Sequence, residues 1–103
     1  MRRMWRRVAD PALWPNERLF FEIYAQALQG SAYARPLLDG IVDFWVEPLT
    51  QLAVAQGRPE AGARAEARLG VAVTRGLLLD LLATGDRAAV DAAMERYIAA
   101  VSR

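Results

Sequence analysis

The sequence predicts an all-α fold of about five helices, the last two forming an antiparallel hairpin that builds an intermolecular four-helix bundle. Three observations carry this. No proline interrupts a helical pattern from Glu60 to Ala83, and Pro59 suits a first turn. Thr84-Gly85-Asp86 then supplies a C-terminal glycine followed at once by an aspartate N-cap, a link short enough to make the next helix an antiparallel neighbour. Finally, the second half of the 60–83 helix is apolar nearly all round. Such a helix must be buried on two sides, one facing its own core and the other a second copy.

The chain opens on Met1, Met4, Trp5 and Val8 at i, i+3, i+4 and i+7, with Arg2, Arg3, Arg6 and Arg7 on the remaining surface. This is a short amphipathic helix ending near Asp10-Pro11, its arginines a solvated face. After the Pro11–Pro15 turn, Asn16 can cap a helix that runs to about Gln29, with Gly30 behind it. Phe20, Ile23, Tyr24 and Ala27 centre its inner face. The next helix spans roughly Tyr33 to Gln56, closed by Gly57, with Leu37, Leu38, Ile41, Phe44, Trp45, Leu49 and Leu52 inward and Asp39, Asp43, Glu47 and Thr50 opposite. Pro48 falls inside it and predicts a kink, because its ring crowds the carbonyl of Phe44.

In the fourth helix Gly62, Leu69, Val73, Gly76, Leu77 and Asp80 share one side. Gly70 and Gly76 each cost roughly 1 kcal/mol against alanine in a helix interior, which close backbone approach offsets. The final helix, Asp86 to about Val101, puts Val90, Met94, Tyr97, Ile98 and Val101 on one face and a smooth back of alanines behind. The expected dimer interface is therefore Leu69, Val73, Gly76, Leu77 and Asp80 with Val90, Met94 and Tyr97.

At 103 residues the chain reads as one domain, 1–103, with a single core. A formal net charge of +1 and 54% hydrophobic residues exclude a disordered chain or a general polyanion binder. The absence of cysteine and histidine excludes disulfides, thiol chemistry, the usual zinc sites and histidine-based acid–base catalysis. Ser31, Ser102, Thr50, Thr74 and Thr84 have no catalytic spacing, so no enzyme and no cofactor is expected. The start lacks the apolar core of a signal peptide, and Arg75 and Asp80 break the greasiest run, so the expectation is a cytoplasmic protein without a membrane span.

Asp39, Asp43 and Glu47 align at i, i+4 and i+8 as possible oxygen ligands, but a solvated row led by Arg35 is the simpler reading and no metal site is expected. Asp80 on a small-residue face calls for an arginine partner. Phe21, Tyr24, Phe44, Trp45, Thr74 and Leu78, from three helices, combine aromatic walls with two hydroxyls in the manner of a ligand pocket.

The stretch from Arg68 to Ala93, with Leu77-Leu-Leu-Asp-Leu-Leu-Ala-Thr-Gly-Asp86 at its centre, resembles the end of the regulatory domain of TetR-family transcriptional regulators. So does Pro15-Asn-Glu-Arg-Leu-Phe-Phe-Glu-Ile-Tyr-Ala-Gln-Ala-Leu-Gln-Gly30. The resemblance runs from about Trp5 to Val101 and rests on helix order, apolar pattern and the 84–86 turn. It implies an effector-sensing and dimerising C-terminal domain whose partners are a second copy and a small apolar or aromatic effector. It also implies that the N-terminal helix-turn-helix head is absent, so that no sequence-specific DNA binding is expected of this chain. The alternative is a ligand-free helical homodimerisation or protein-interaction module.

Overall fold

In the computed structural model, residues 1–101 are described; Ser102 lies outside them. Among the described residues the fold is all-helical, without strands. The five α-helices are α1 (Arg2–Val8), α2 (Trp14–Leu28), α3 (Asp43–Ala55), α4 (Glu60–Thr84) and α5 (Arg87–Val101). Short 3-10 turns at Pro11–Leu13 and Arg35–Leu38 precede α2 and α3. The chain divides into two compact units: Met1–Arg18 together with the chain from Val73 onward, and Leu19–Ala72.

In the first unit α1 lies on α5. Arg2 pairs with Glu95 at 2.9 Å, the Trp5 indole donates to Asp91 Oδ1 at 2.8 Å, and Arg87 donates to the Ala9 carbonyl at 3.2 Å. As the number rises along α1 it falls along α5, so the two helices run antiparallel. Positions 2, 5 and 9 form one stripe of α1, and 87, 91 and 95 one stripe of α5, which is why a single register satisfies all three contacts. Arg87 also bonds Asp91 at 3.0 Å, which locks the acceptor that the Trp5 indole uses. The Ala9 carbonyl, at the end of α1, is further capped by the Trp14 indole at 3.1 Å. Trp5, Ala9, Leu78, Leu81, Val90, Met94 and Ile98 are buried in this unit.

The sequence places the start of α2 at Asn16, yet the helix begins at Trp14. Asp10 accepts from the Ala12 amide at 3.0 Å, and the 3-10 turn it caps feeds directly into α2, so Pro15 occupies the first turn, where its missing amide hydrogen costs nothing. The long helix expected over 33–56 is likewise shorter. Arg35–Leu38 is a 3-10 turn, and Gly40 takes φ +76°, a left-handed conformation that no continuing helix contains. The break is thus at Gly40, whereas α3 runs continuously through Pro48. Pro48 offers no amide hydrogen to the Phe44 carbonyl, and both residues are exposed.

The turn between α4 and α5 matches its expectation. Gly85 at φ +69° sends its amide to the Leu81 carbonyl at 2.8 Å, and Asp86 Oδ1 accepts from the Ala89 amide at 3.0 Å. The Thr84 hydroxyl accepts from the Asp86 amide at 3.1 Å and donates to the Asp80 carbonyl at 2.9 Å, which fastens the link from both sides.

Candidate pairing surface and effector site

Along α4 the exposed residues include Gly62, Ala65, Leu69, Ala72, Gly76, Leu79, Asp80 and Ala83, flanked by the exposed Glu66 and Arg68, with Glu60, Ala61 and Thr84 exposed at the helix ends. Apart from Asp80, the apolar members recur with spacings of three and four, the a/d repeat of helices that pack side by side. The inward row is the parallel series Ala63, Ala67, Gly70, Leu78 and Leu81. Two apolar rows on one helix, one covered and one bare, are what two-sided burial requires.

This geometry redraws the interface expected from sequence. Leu69, Gly76 and Asp80 lie outward, and Val73, Leu77 and Tyr97 are half-buried. Val90 and Met94 are only 1% exposed and fill the protomer's own core. The reason is that an α4 apolar nearly all round offers no polar face to mark its outside, so the 3.6-residue period alone cannot separate the two rows. Leu79 and Ala83, which are not among the interface residues expected from sequence, belong to the outward row. Their signal was present in the unbroken heptad spacing of Gly, Ala and Leu from 62 to 83. On α5, Ala88, Ala89, Ala92, Ala93, Ala99 and Ala100 are exposed, together with Glu95 and Arg96.

An alanine methyl at Gly76 meets nothing within 4 Å, so this glycine is not required by anything inside the protomer. Asp80 is exposed, and its carboxylate accepts from the Thr84 hydroxyl at 3.3 Å.

The residues expected to line an effector pocket fall in both units. In the Leu19–Ala72 unit, Phe20 packs edge-on against Phe21 and Tyr24, with ring centroids 5.4 and 5.7 Å apart, and Phe21 and Tyr24 are half-buried. Phe44 and Trp45 form their own edge-to-face pair at 5.3 Å but are 67% and 46% exposed. The inward side of α3 is instead Val46 and Thr50, both fully buried, with the Thr50 hydroxyl donating to the Val46 carbonyl at 2.7 Å. The expected facing therefore changes at four positions: Phe44, Trp45 and Leu52 look out and Thr50, expected outside, is core, while Asp43 is exposed as expected and Leu49 is half-buried. A buried threonine suits a helix interior when its hydroxyl bonds the carbonyl four residues back, as here. In the other unit, Thr74 is half-buried and Leu78 is buried. An open depression of about 580 Å³ lies beside Met1, Arg2, Arg3 and Ile98, none of them an expected effector residue.

The three carboxylates expected in one row do not share a helix, since Asp39 ends the 3-10 turn and Gly40 separates it from α3. Glu47 is held by Arg64 of α4 through bonds of 2.7 and 3.3 Å, while Gln51 donates to it at 3.0 Å. Arg64 and Gln51 hold the Glu47 carboxyl down at about 2. No group of three or more side chains suited to a metal ion occurs among the described residues, and no helix there is long and apolar enough to cross a membrane. In the first unit Glu17 has one carboxylate oxygen buried without a hydrogen-bond partner, and burial raises its pKa. Neither a protein family, a curated protein nor a solved structure matches this chain.

Proposed function

We propose that this chain is a homodimerising helical domain of the TetR-like regulatory kind, whose work is done by pairing with a second copy along α4 and α5. The observation that carries the reading is the bare a/d row of α4, in which Leu69 is 52% and Leu79 is 49% exposed among glycines and alanines. Small residues allow close backbone approach while the two leucines supply apolar area, at about 25 cal/mol per Å² buried. The alanine back of α5 is compatible with the same contact. In the parent family's logic, pairing fixes the geometry in which regulatory information is passed between protomers, so dimerisation is the part of that function this surface supports. Operator reading is no part of the proposal, and neither is catalysis.

Effector sensing at Phe21, Tyr24, Phe44, Trp45, Thr74 and Leu78 is the weaker half of the family-based reading, because the exposure of Phe44 and Trp45 favours a contact surface over an enclosing wall. Light scattering on the wild type and on Leu79→Arg tests the proposal. The wild type should self-associate at tens of micromolar, and the variant, which changes only an outward side chain, should lose that association with its helical content intact. A wild type that stays at 11.4 kDa overturns it.

A further inference from the structure

A net charge of +1 hides a separation of charge along the chain. Residues 1–10 carry four arginines against one acid, whereas residues 11–103 carry nine against eleven. The fold gathers the positive excess on one helix face. The stripe of α1 at positions 2, 5 and 9 is turned onto α5, with Trp5 only 4% exposed, while Arg3, Arg6 and Arg7 share the side turned away from it and are all exposed. Arg2 is committed to Glu95, and Asp10 uses its carboxylate to cap the Ala12 amide. Arg58, Arg64 and Arg87 each meet an acid, but among the described residues no ion pair engages Arg3, Arg6 or Arg7.

This arrangement works against the helix that bears it. Arg3 stands three and four residues from Arg6 and Arg7, spacings at which like charges repel, and no acid lies in the first turn to relieve them. Yet α1 is firmly mounted, since the Trp5 indole donates to Asp91 and Arg2 pairs with Glu95. Mutually repelling cations on a fixed mount form a preorganised anion-binding face, because an anion that settles there removes the repulsion without having to order the helix.

We propose that Arg3, Arg6 and Arg7 contact the phosphodiester backbone of a nucleic acid without reading its sequence. Charge density selects this occupant. The seven residues of α1 are about 10 Å long. One strand of a duplex carries a phosphate about every 3.4 Å of axis, so that length presents about three phosphates, one for each arginine. Each guanidinium can give a phosphate two parallel N–H bonds, which fix position and carry no base information. An anionic membrane is the poorer fit: a basic helix holds a membrane surface by sinking its apolar side into it, and the apolar side of α1 is already buried on α5. The face lies on α1 and does not depend on the α4 row.

Fluorescence anisotropy of a labelled duplex of arbitrary sequence, titrated with the full chain between about 50 and 200 mM salt, tests the assignment. For each α1 engaged, log affinity should fall against log salt with a slope of about −2.7, about 40-fold over that range, and a duplex of unrelated sequence should bind equally. Arg3→Gln/Arg7→Gln should weaken binding about tenfold or more at the lower salt and reduce the slope to about −0.9. Its thermal melt, followed by circular dichroism, should be no lower than that of the wild type, since the change relieves repulsion. Arg35→Gln/Arg68→Gln removes the same charge from exposed positions outside α1 and should leave binding as it was. Absence of duplex binding at the lower salt overturns the proposal, and so does equal weakening by the two double variants. Vesicles rich in phosphatidylserine that bind the chain when the duplex does not, or polyglutamate that binds as tightly as the duplex, overturn it as well.

Discussion

The two compact units bury opposite kinds of residue. The unit made from the chain's two ends keeps large side chains inside, with Trp5, Leu81, Val90, Met94 and Ile98 all below a tenth exposed. The Leu19–Ala72 unit buries Ala27, Ala34, Val46, Thr50, Ala63 and Ala67, while Leu19, Leu28, Tyr33, Phe44, Trp45 and Leu52 stay exposed. A buried alanine removes little apolar area from water, whereas a buried Trp or Met removes a great deal. The terminal unit is therefore self-sufficient in its α1–α5 packing, and the middle unit holds unspent apolar surface. Burial of large side chains is concentrated in the first, and exposed large apolar side chains in the second and in the outward row of α4.

Two tryptophans put the sharpest test on that contrast. Trp5→Ala should lose about 3 to 5 kcal/mol of stability in denaturant melts, since it removes a buried ring and the bond to Asp91. Trp45→Ala should change protomer stability by no more than about 0.5 kcal/mol. Comparable losses at both positions would erase the distinction between the units. A finer probe is Trp5→Phe, which keeps most of the ring but removes the indole donor, and should cost about 1 kcal/mol.

The carboxyls provide a second, smaller contrast with opposite signs. Burial raises the Glu17 pKa, so the folded state holds that proton more firmly than the unfolded chain. Stability contributed by the protonated form is present at low pH and lost as pH rises through the raised value. Glu17→Gln should accordingly raise the melting temperature at pH 7 and change it little at pH 3. Glu47 runs the other way, from its ordinary 4.5 down to about 2, so its ion pair stabilises above about 4.5 and is lost as pH falls towards 2. Glu47→Gln should lower the melting temperature at pH 7 by a small amount, since the pair is largely exposed, and leave it unchanged near pH 2. The same pH profile for both variants would contradict the environments assigned to them.

Much of the helix plan was legible because its punctuation is chemical. Gly85 with Asp86 marks the α4–α5 link, Gly30 and Gly57 close α2 and α3, and Val90, Met94 and Ile98 trace the buried face of α5. Gly40 was hidden because Leu37, Leu38 and Ile41 continue the helical spacing across it, although a left-handed glycine ends the run. The α3 facing was hidden for a related reason. Pattern reading points the bulkiest side chains inward, and Phe44 and Trp45 outweigh Val46 and Thr50 in any such reading. The ladder of Arg2, Trp5 and Arg87 with Asp91 and Glu95 spans most of the chain, and no local spacing announces which distant arginine meets which acid. The α4 row was readable as a heptad, but its competitor on the same helix was equally apolar.

The most direct test of the central claim is Gly76→Leu, which puts a bulky side chain into the outward row of α4. An added side chain at Gly76 meets open space within the protomer, and replacing glycine in a helix interior favours the helix by up to about 1 kcal/mol, so the fold should be kept or slightly strengthened. Light scattering should then report a dimer of the 11.4 kDa chain for the wild type and a monomer for Gly76→Leu. A dimer that survives the bulky side chain, or a wild type that is already monomeric, would contradict pairing through the outward row of α4.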